Sequence, residues 1–295
     1  MQEKINFDNI YCMDCLEGMK AIPDGSVDMV LCDPPYGVTG LSWDTQLPIR
    51  ETFKEVRRIL KKGARMLFFC VQPFTSSLIQ GNLIDFSHML YWKKDRPTRH
   101  RSLGRVPMRL IEEIAVFTNS LNAGEHENIR RYMMEQLQLA GIAHRNVDVV
   151  FNNGGAHHWF RDGSDFRIPT RENYEKLQST GYFSRPYDKI RAEFDGARRV
   201  PVYRRSQIRD VLEFPSCDKK EQVGHPTQKP VALCEYLIKT YSNEGDVILD
   251  NCMGSGTTAV AAINTGRRYI GFENNADFYN AAVKRIEEAK KAKNF

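Results

Sequence analysis

The chain has 295 residues, 41% of them hydrophobic and 27% charged, with a formal net charge of +5. That is enough for one large or two small domains with a substantial core, and no run approaches the roughly 18 apolar residues that a membrane span needs. Seven cysteines are an odd number, which fits reduced thiols better than a disulfide framework. A lone Cys12-x-x-Cys15 has only the distant His157-His158 as partners for a zinc site, so no metal is expected. The first residues, Met1-Gln2-Glu3-Lys4-Ile5-Asn6, lack an apolar leader pattern, and a cytoplasmic location is the default expectation.

In chain order, residues 27–32 read as a buried strand. It stops at Asp33-Pro34-Pro35-Tyr36-Gly37, where two prolines remove two backbone donors and stiffen the path. Alone, this stretch fits a plain turn, or a rigid ledge holding a carboxylate, a carbonyl and an aromatic face toward a pocket. The spacing then predicts a helix over 50–60, with Phe53, Val56, Ile59 and Leu60 on one face and Gly63 near its end. A second buried strand is predicted over 65–71, with two more over 88–92 and 113–117. Between Lys93 and Arg109 lie seven basic residues (Lys93, Lys94, Arg96, Arg99, Arg101, Arg105 and Arg109) against one acid, Asp95. Such a run fits a solvated face or a phosphate-contacting surface, because clustered rather than total charge makes an electrostatic footprint.

From about residue 125 to residue 182 the strand–helix alternation fades. A helix is predicted over 128–140, with Ile129, Tyr132, Met133 and Leu137 on one face and Gly141 at its end. Short pieces follow at 144–152, 156–160 and 169–177. Their tight connections and the closing "IPTRENYEKLQ" resemble a repressor-type helix–turn–helix, and fit a packing insert equally. A second basic run, Arg185–Arg209, carries eight basic residues against three acids.

Residues 246–250 form the next predicted strand, 257–264 a helix ending at Gly266, 268–273 a strand, and 276–293 a final helix. Gly254-Ser255-Gly256-Thr257-Thr258-Ala259 fits G-x-G-x-x-G/A between a strand and a helix, and Glu273 ends the next strand 23 residues after Asp250. This is the arrangement in which glycines let a nucleoside approach the backbone while an acid grips ribose hydroxyls. Alternating strands and helices with apolar strands predict an α/β fold: a mostly parallel, Rossmann-like sheet with helices on both faces and a helical insertion. Too little chain follows the glycine loop to complete such a sheet, so the motif order is circularly permuted, with the Asp33 half first.

On "DCLEGMKAIPDGSVDMVLCDPPYG", "HPTQKPVALCEYLI", "DNCMGSGTTAVAA" and "GFENNADFYNAAVKRI", the chain resembles amino-methylating DNA methyltransferases of the beta-type motif order, in which DPPY precedes the cofactor motifs. The resemblance covers residues 1–118 and 225–290 and implies S-adenosylmethionine as cofactor. Asp250 with the Gly254, Ser255 and Gly256 loop, Thr257 and Thr258 would line its methionine side. Glu273 would bind the ribose hydroxyls and Asp14 the adenine end, with Thr227, Gln228 and Lys229 closing over it. Cys252 stands where phenylalanine is common, and Asn274-Asn275 where an acid often follows.

Catalysis is expected from Asp33, Pro34, Pro35 and Tyr36. The Asp33 carboxylate and Pro34 carbonyl would accept the hydrogens of an exocyclic amine, and Tyr36 would stack on a flipped base. Aspartate at the first position goes mostly with adenine N6 in that family; cytosine N4 and a catalytically silent DNA-binding protein are the alternatives. The implied partner is double-stranded DNA, with a second copy of the chain and a cognate restriction enzyme as further candidates. Lys93, Lys94, Arg96, Arg99, Arg101, Arg105, His157, His158, Arg161, Arg198 and Arg199 are the candidate DNA contacts. The expected division is 1–122 catalytic half, 123–210 target-recognition insert and 211–295 cofactor half.

Overall fold

A computed structural model describes residues 5–37, 44–98, 107–119, 123–143, 146–151, 154–160, 167–196, 209–218, 221–223 and 227–293. The chain divides into two compact units, one of Met1–Asn119 with Val200–Phe295 and one of Ser120–Arg199. Among the described residues the first holds eight strands: β1 (Asn9–Cys12), β2 (Val27–Cys32), β3 (Leu60–Cys70), β4 (Phe86–Thr98), β5 (Arg109–Thr118), β6 (Val211–Glu213), β7 (Val247–Asp250) and β8 (Arg268–Glu273). They form one sheet in the order β1-β8-β7-β2-β3-β5-β4-β6. Five of its pairings are parallel, and the two made by β5 are antiparallel.

Both faces are covered, which is why the strands read as continuous apolar runs. Along β2, Met29 and Leu31 point to one side, where they meet Leu233 and Leu237 of α8 (Val231–Tyr241), Ala259 of α9 (Thr257–Asn264) and Ile286 of α10 (Ala276–Lys293). Val30 and Cys32 point to the other. There they pack with Met19 of α1 (Cys15–Lys20), Val56 of α2 (Ile49–Ile59) and Leu78 of α3 (Phe74–Gly81).

Sequence periodicity misses β1, α1, α3, α8 and β6, and in the second unit the helix Tyr187–Gly196. Of these, β1, α1 and β6 are too short for a repeat to register, and α8 is largely apolar on several sides, so no amphipathic stripe marks it. The strands expected over 88–92 and 113–117 are longer than predicted and flank the basic run, with Thr98 opposite Arg109.

The helical unit contains α4 (Ala123–Leu139), α5 (Val147–Val150), α6 (Arg171–Gln178) and α7 (Tyr187–Gly196). Its own core is built from Ile129, Met133, Leu137, Trp159, Tyr174, Leu177, Phe183 and Ile190. Where a helix–turn–helix would have its second and third helices stand a single turn, α5, and a 3-10 turn at Ala156–Trp159. Thr170 caps α6 through the Asn173 N–H.

Candidate active site

The sheet order brings the two informative loops together. From β7 the chain passes through α9 to β8 on one side, and from β2 it passes through α2 to β3 on the other. Strands β7 and β2 are neighbours, with Val30 beside Leu249. The order therefore reverses between them, and in open α/β sheets the crevice at such a reversal, beyond the strand ends, is where ligands bind. Asp33 follows the end of β2, and Asp250 ends β7. A crevice there is lined by Asp33, Pro34, Pro35 and Tyr36, by Asp14, Asp250 and Glu273, by Gly254, Ser255, Thr257 and Thr258, and by Thr227, Gln228 and Lys229. Of the catalytic and cofactor residues expected from sequence, only Gly256 is not on its wall. Gly256 starts α9 with φ +78°, and a Cβ there would lie 3.0 Å from that of Ala282.

At the β7 end, Glu273 is held by two backbone donors: Gly254 N–H gives to its Oε2 at 2.8 Å and Asn275 N–H to its Oε1 at 2.8 Å. The acid and the glycine loop are thus fastened to each other. Asp14 caps α1, accepting from the Leu16 and Glu17 N–H groups at 2.9 and 3.1 Å. Asp250 is buried, and its Oδ1 accepts from the Cys252 N–H at 3.0 Å. Burial pushes its carboxyl up to about 7, against the lowering hydrogen bonds from Thr258 and Cys252.

The loop is clamped from behind by Arg285 of α10, which sequence reasoning passed over as part of a charged helix. Its guanidinium donates to Thr257 Oγ1 at 2.8 Å, Ser255 O at 3.2 Å and Glu221 Oε1 at 3.0 Å. Thr257 Oγ1 in turn donates to Lys229 O at 3.2 Å. Gln228, expected to close over a cofactor, spends its amide on the Glu221 carbonyl at 2.8 Å and on Cys217 Sγ at 3.2 Å.

At the β2 end the proline turn is braced. Gly37 N–H gives to Asp44 Oδ1 at 2.8 Å, and Gln46 Nε2 gives to Tyr36 O at 2.6 Å. The Tyr36 ring packs against Phe74 with centroids 5.5 Å apart, and its hydroxyl donates to Asp33 Oδ1. Lys229, expected near a cofactor carboxylate, lines the crevice and gives its ammonium to Asp33 Oδ2 at 2.5 Å. Its Nζ also stands 5.0 Å from the Phe69 ring centre and 3.6 Å from Glu112 Oε2. Glu112 is a functional candidate that the sequence did not single out. It reads as one of two acids opening a strand, and only the β5 register sets it beside Lys229.

The expected DNA contacts divide. Lys93 is exposed and pairs with Glu213 at 2.8 Å, and Arg96 is exposed with a bond to Cys217 O at 3.2 Å. Lys94 is corrected: it is 7% exposed and paired with Glu112. Side chains alternate across β4, so Lys94 follows Trp92 inward while Lys93 faces out. In the helical unit, His157 is tied to Asp148 through its Nδ1 at 2.7 Å and lies against His158, ring centres 4.1 Å apart. Arg99, Arg101, Arg105, Arg161, Arg198 and Arg199 lie outside the described residues.

A reversed α/β sheet with a glycine loop, a ribose-type acid and a proline-stiffened carboxylate in one crevice defines a nucleoside-cofactor enzyme acting on a second ligand. Residues 27–284 match the family described as DNA methylase, of the N6/N4 type, and the chain belongs to that family. It is 25% identical to the type II methyltransferase M1.MboII of Moraxella bovis, over 94% of this chain and 96% of the relative. It is 27% identical to the DNA adenine methyltransferase YhdJ of Escherichia coli, over 94% and 81%. Among solved structures, an M1.HpyAVI–SAM complex superposes with a TM-score of 0.54 at 18% identity, covering 94% of this chain and 98% of that one. The cytosine-N4-specific PvuII DNA methyltransferase superposes at 0.56 with 13% identity, over 99% and 93%. These two share the fold.

The methyl donor is S-adenosylmethionine, and the crevice fits it. Gly254 lines the crevice with a left-handed φ of +51°, Glu273 is fixed by two backbone donors, and the buried Asp250 carboxyl suits a cationic ligand. If Asp250 faces the cofactor's cation, its ionised form binds more tightly than the protonated acid, and below its raised pKa that proton must first leave. Cofactor affinity should therefore rise about tenfold between about pH 6 and pH 8 and level off above. Calorimetric titration across that range checks it; a flat profile would remove Asp250 from contact with the cation. Among the described residues, no helix is long and apolar enough to cross a membrane.

Proposed function

We propose that the chain methylates the exocyclic N6 of an adenine flipped out of duplex DNA. The observation that carries this reading is that the Asp33-Pro34-Pro35-Tyr36 turn and the Asp250–Glu273 end share one crevice. S-Adenosylmethionine supplies an electrophilic sulfonium methyl, with Asp250, the Gly254 loop, Glu273 and Asp14 as the residues that would hold it. What this chain must do is make an amine nucleophilic, since the nitrogen lone pair is delocalised into the base ring. Asp33 and the Pro34 carbonyl accept the two amine hydrogens and localise that pair, and proline keeps the carbonyl's direction fixed. Asp33 need not be a strong base, because the amine becomes acidic once methylated and its proton leaves through the carboxylate or to solvent. Tyr36, backed by Phe74, offers a face whose stacking offsets part of the few-kcal/mol penalty of unstacking a base.

Aspartate before Pro-Pro-Tyr favours adenine over cytosine, as does the name of the E. coli relative. The exposed Lys93 and Arg96 and the helical unit are the proposed DNA-facing parts, with His157 and His158 as its candidate contacts. The bacterial sources of the type II methyltransferase relatives support a bacterial setting, and a cognate restriction enzyme is a further proposed partner. Incubation with plasmid and methyl-labelled cofactor, followed by digestion to nucleosides, should put the label in N6-methyladenine. Label in N4-methylcytosine would replace adenine by the alternative, and no label in DNA would defeat both.

A further inference from the structure

We propose that Glu112 is a positioning residue that draws the Lys229 ammonium away from Asp33 when the target amine donates to that carboxylate. The proposal rests on the reading of Asp33 as the amine's acceptor.

Both Asp33 oxygens are engaged by the chain itself, Oδ1 by the Tyr36 hydroxyl and Oδ2 by Lys229. An incoming amine must compete with an ammonium for Oδ2. The competition sharpens during reaction, because the amine nitrogen gains positive charge beside a lysine that already carries one. Lys229 therefore opposes methylation as long as it stays on Asp33. It cannot withdraw into water either: it is 7% exposed and lies against the Phe69 ring. A buried cation leaves one anion only for another.

Glu112 provides that second anion. Its Oε1 accepts from Lys94, itself buried on β4. Its Oε2 is buried, accepts no hydrogen bond among the described residues, and stands 3.6 Å from Lys229 Nζ. A buried carboxylate oxygen without a hydrogen bond is unfavourable and rare enough to call for a reason. Here it is an acceptor set beside a donor engaged elsewhere, and a shift of the ammonium by about 1 Å completes the bond.

Lys94, Glu112, Lys229 and Asp33 thus form a row of alternating charge, its two lysines buried and its two acids partly buried. Burial works against the Lys229 ammonium, but Asp33 and Glu112 outweigh it and hold its pKa above the ordinary lysine value. Burial likewise opposes the Glu112 charge, and Lys229 and Lys94 hold it below the usual carboxylate range. Both groups stay ionised at neutral pH, so the row moves a cation rather than a proton.

Glu112→Gln keeps the shape and removes the charge that attracts Lys229. In single-turnover methylation of a target duplex at saturating cofactor, the rate should fall about 30-fold, equivalent to about 2 kcal/mol. Cofactor affinity by calorimetry should stay within about twofold. In a Lys229→Met background the same Glu112→Gln change should have almost no effect on rate, since no ammonium remains to be drawn. If Glu112→Gln leaves Lys94 unpaired and the protein melts early, Lys94→Met with Glu112→Gln carries the same comparison. A crystal structure with bound target duplex should place Lys229 Nζ at about 2.8 Å from Glu112 Oε2. A wild-type rate in Glu112→Gln, equal losses in both backgrounds, or Nζ still on Asp33 in that complex would overturn the proposal. Transfer retained by Asp33→Ala would instead defeat the reading beneath it, so the two failures are distinct.

Discussion

Asp33→Ala should lower methyl transfer by about a thousandfold while cofactor affinity stays within a few-fold of the parent, because losing one preorganised charge-stabilising group typically costs about 10²–10³ in rate. In the proposed mechanism the carboxylate is the acidic acceptor at the turn, and the Pro34 carbonyl cannot replace it alone. Folding should survive, since Lys229, released from Asp33, has Glu112 at 3.6 Å, and Tyr36 keeps its packing on Phe74. Asp33→Asn, which keeps one carbonyl acceptor and loses the charge, should fall between the two. Single-turnover transfer of labelled methyl, paired with calorimetry of the cofactor, makes the test. Transfer within tenfold of the parent would remove Asp33 from its role.

Glu273→Ala should weaken cofactor binding by about a hundredfold or more, since each hydrogen bond to a charged acceptor contributes about 1.5–3 kcal/mol and a ribose would offer two. The side chain also accepts from Gly254 N–H and Asn275 N–H, so its loss frees the glycine loop that approaches the ligand. Glu273→Gln keeps one acceptor oxygen and should lose less. Duplex binding, read by gel shift, should be unaffected in both, which separates a cofactor defect from a folding defect. Unchanged cofactor affinity in Glu273→Ala would refute the ribose assignment.

The parts of this site legible in the sequence are those governed by local chemistry. A buried strand ending in Asp33-Pro34-Pro35-Tyr36 announces itself, because prolines stop a strand and fix a carbonyl. The stretch from Asp250 to Glu273 does so too, because a glycine turn between strand and helix, with an acid at the next strand's end, follows from backbone approach alone. These segments occupy one crevice, as their chemistry required. Lys94 was misread for an equally physical reason. In a run of basic residues, the linear charge count takes no account of which face of β4 each side chain occupies.

By itself, then, the sequence determined the α/β class and the family, and it pointed to the residues proposed to meet the cofactor and the target amine. Each of those rests on contacts within a few residues or on a motif. Tertiary structure alone decided where Lys229 points, why Arg285 is buried behind the glycine loop, and that Glu112 stands between Lys94 and Lys229. Those pairings join residues distant in the chain through the β7–β2 and β3–β5–β4 order of the sheet. In a buried site an ionised group must find whichever partner the folded backbone places within reach, and no local pattern encodes that choice.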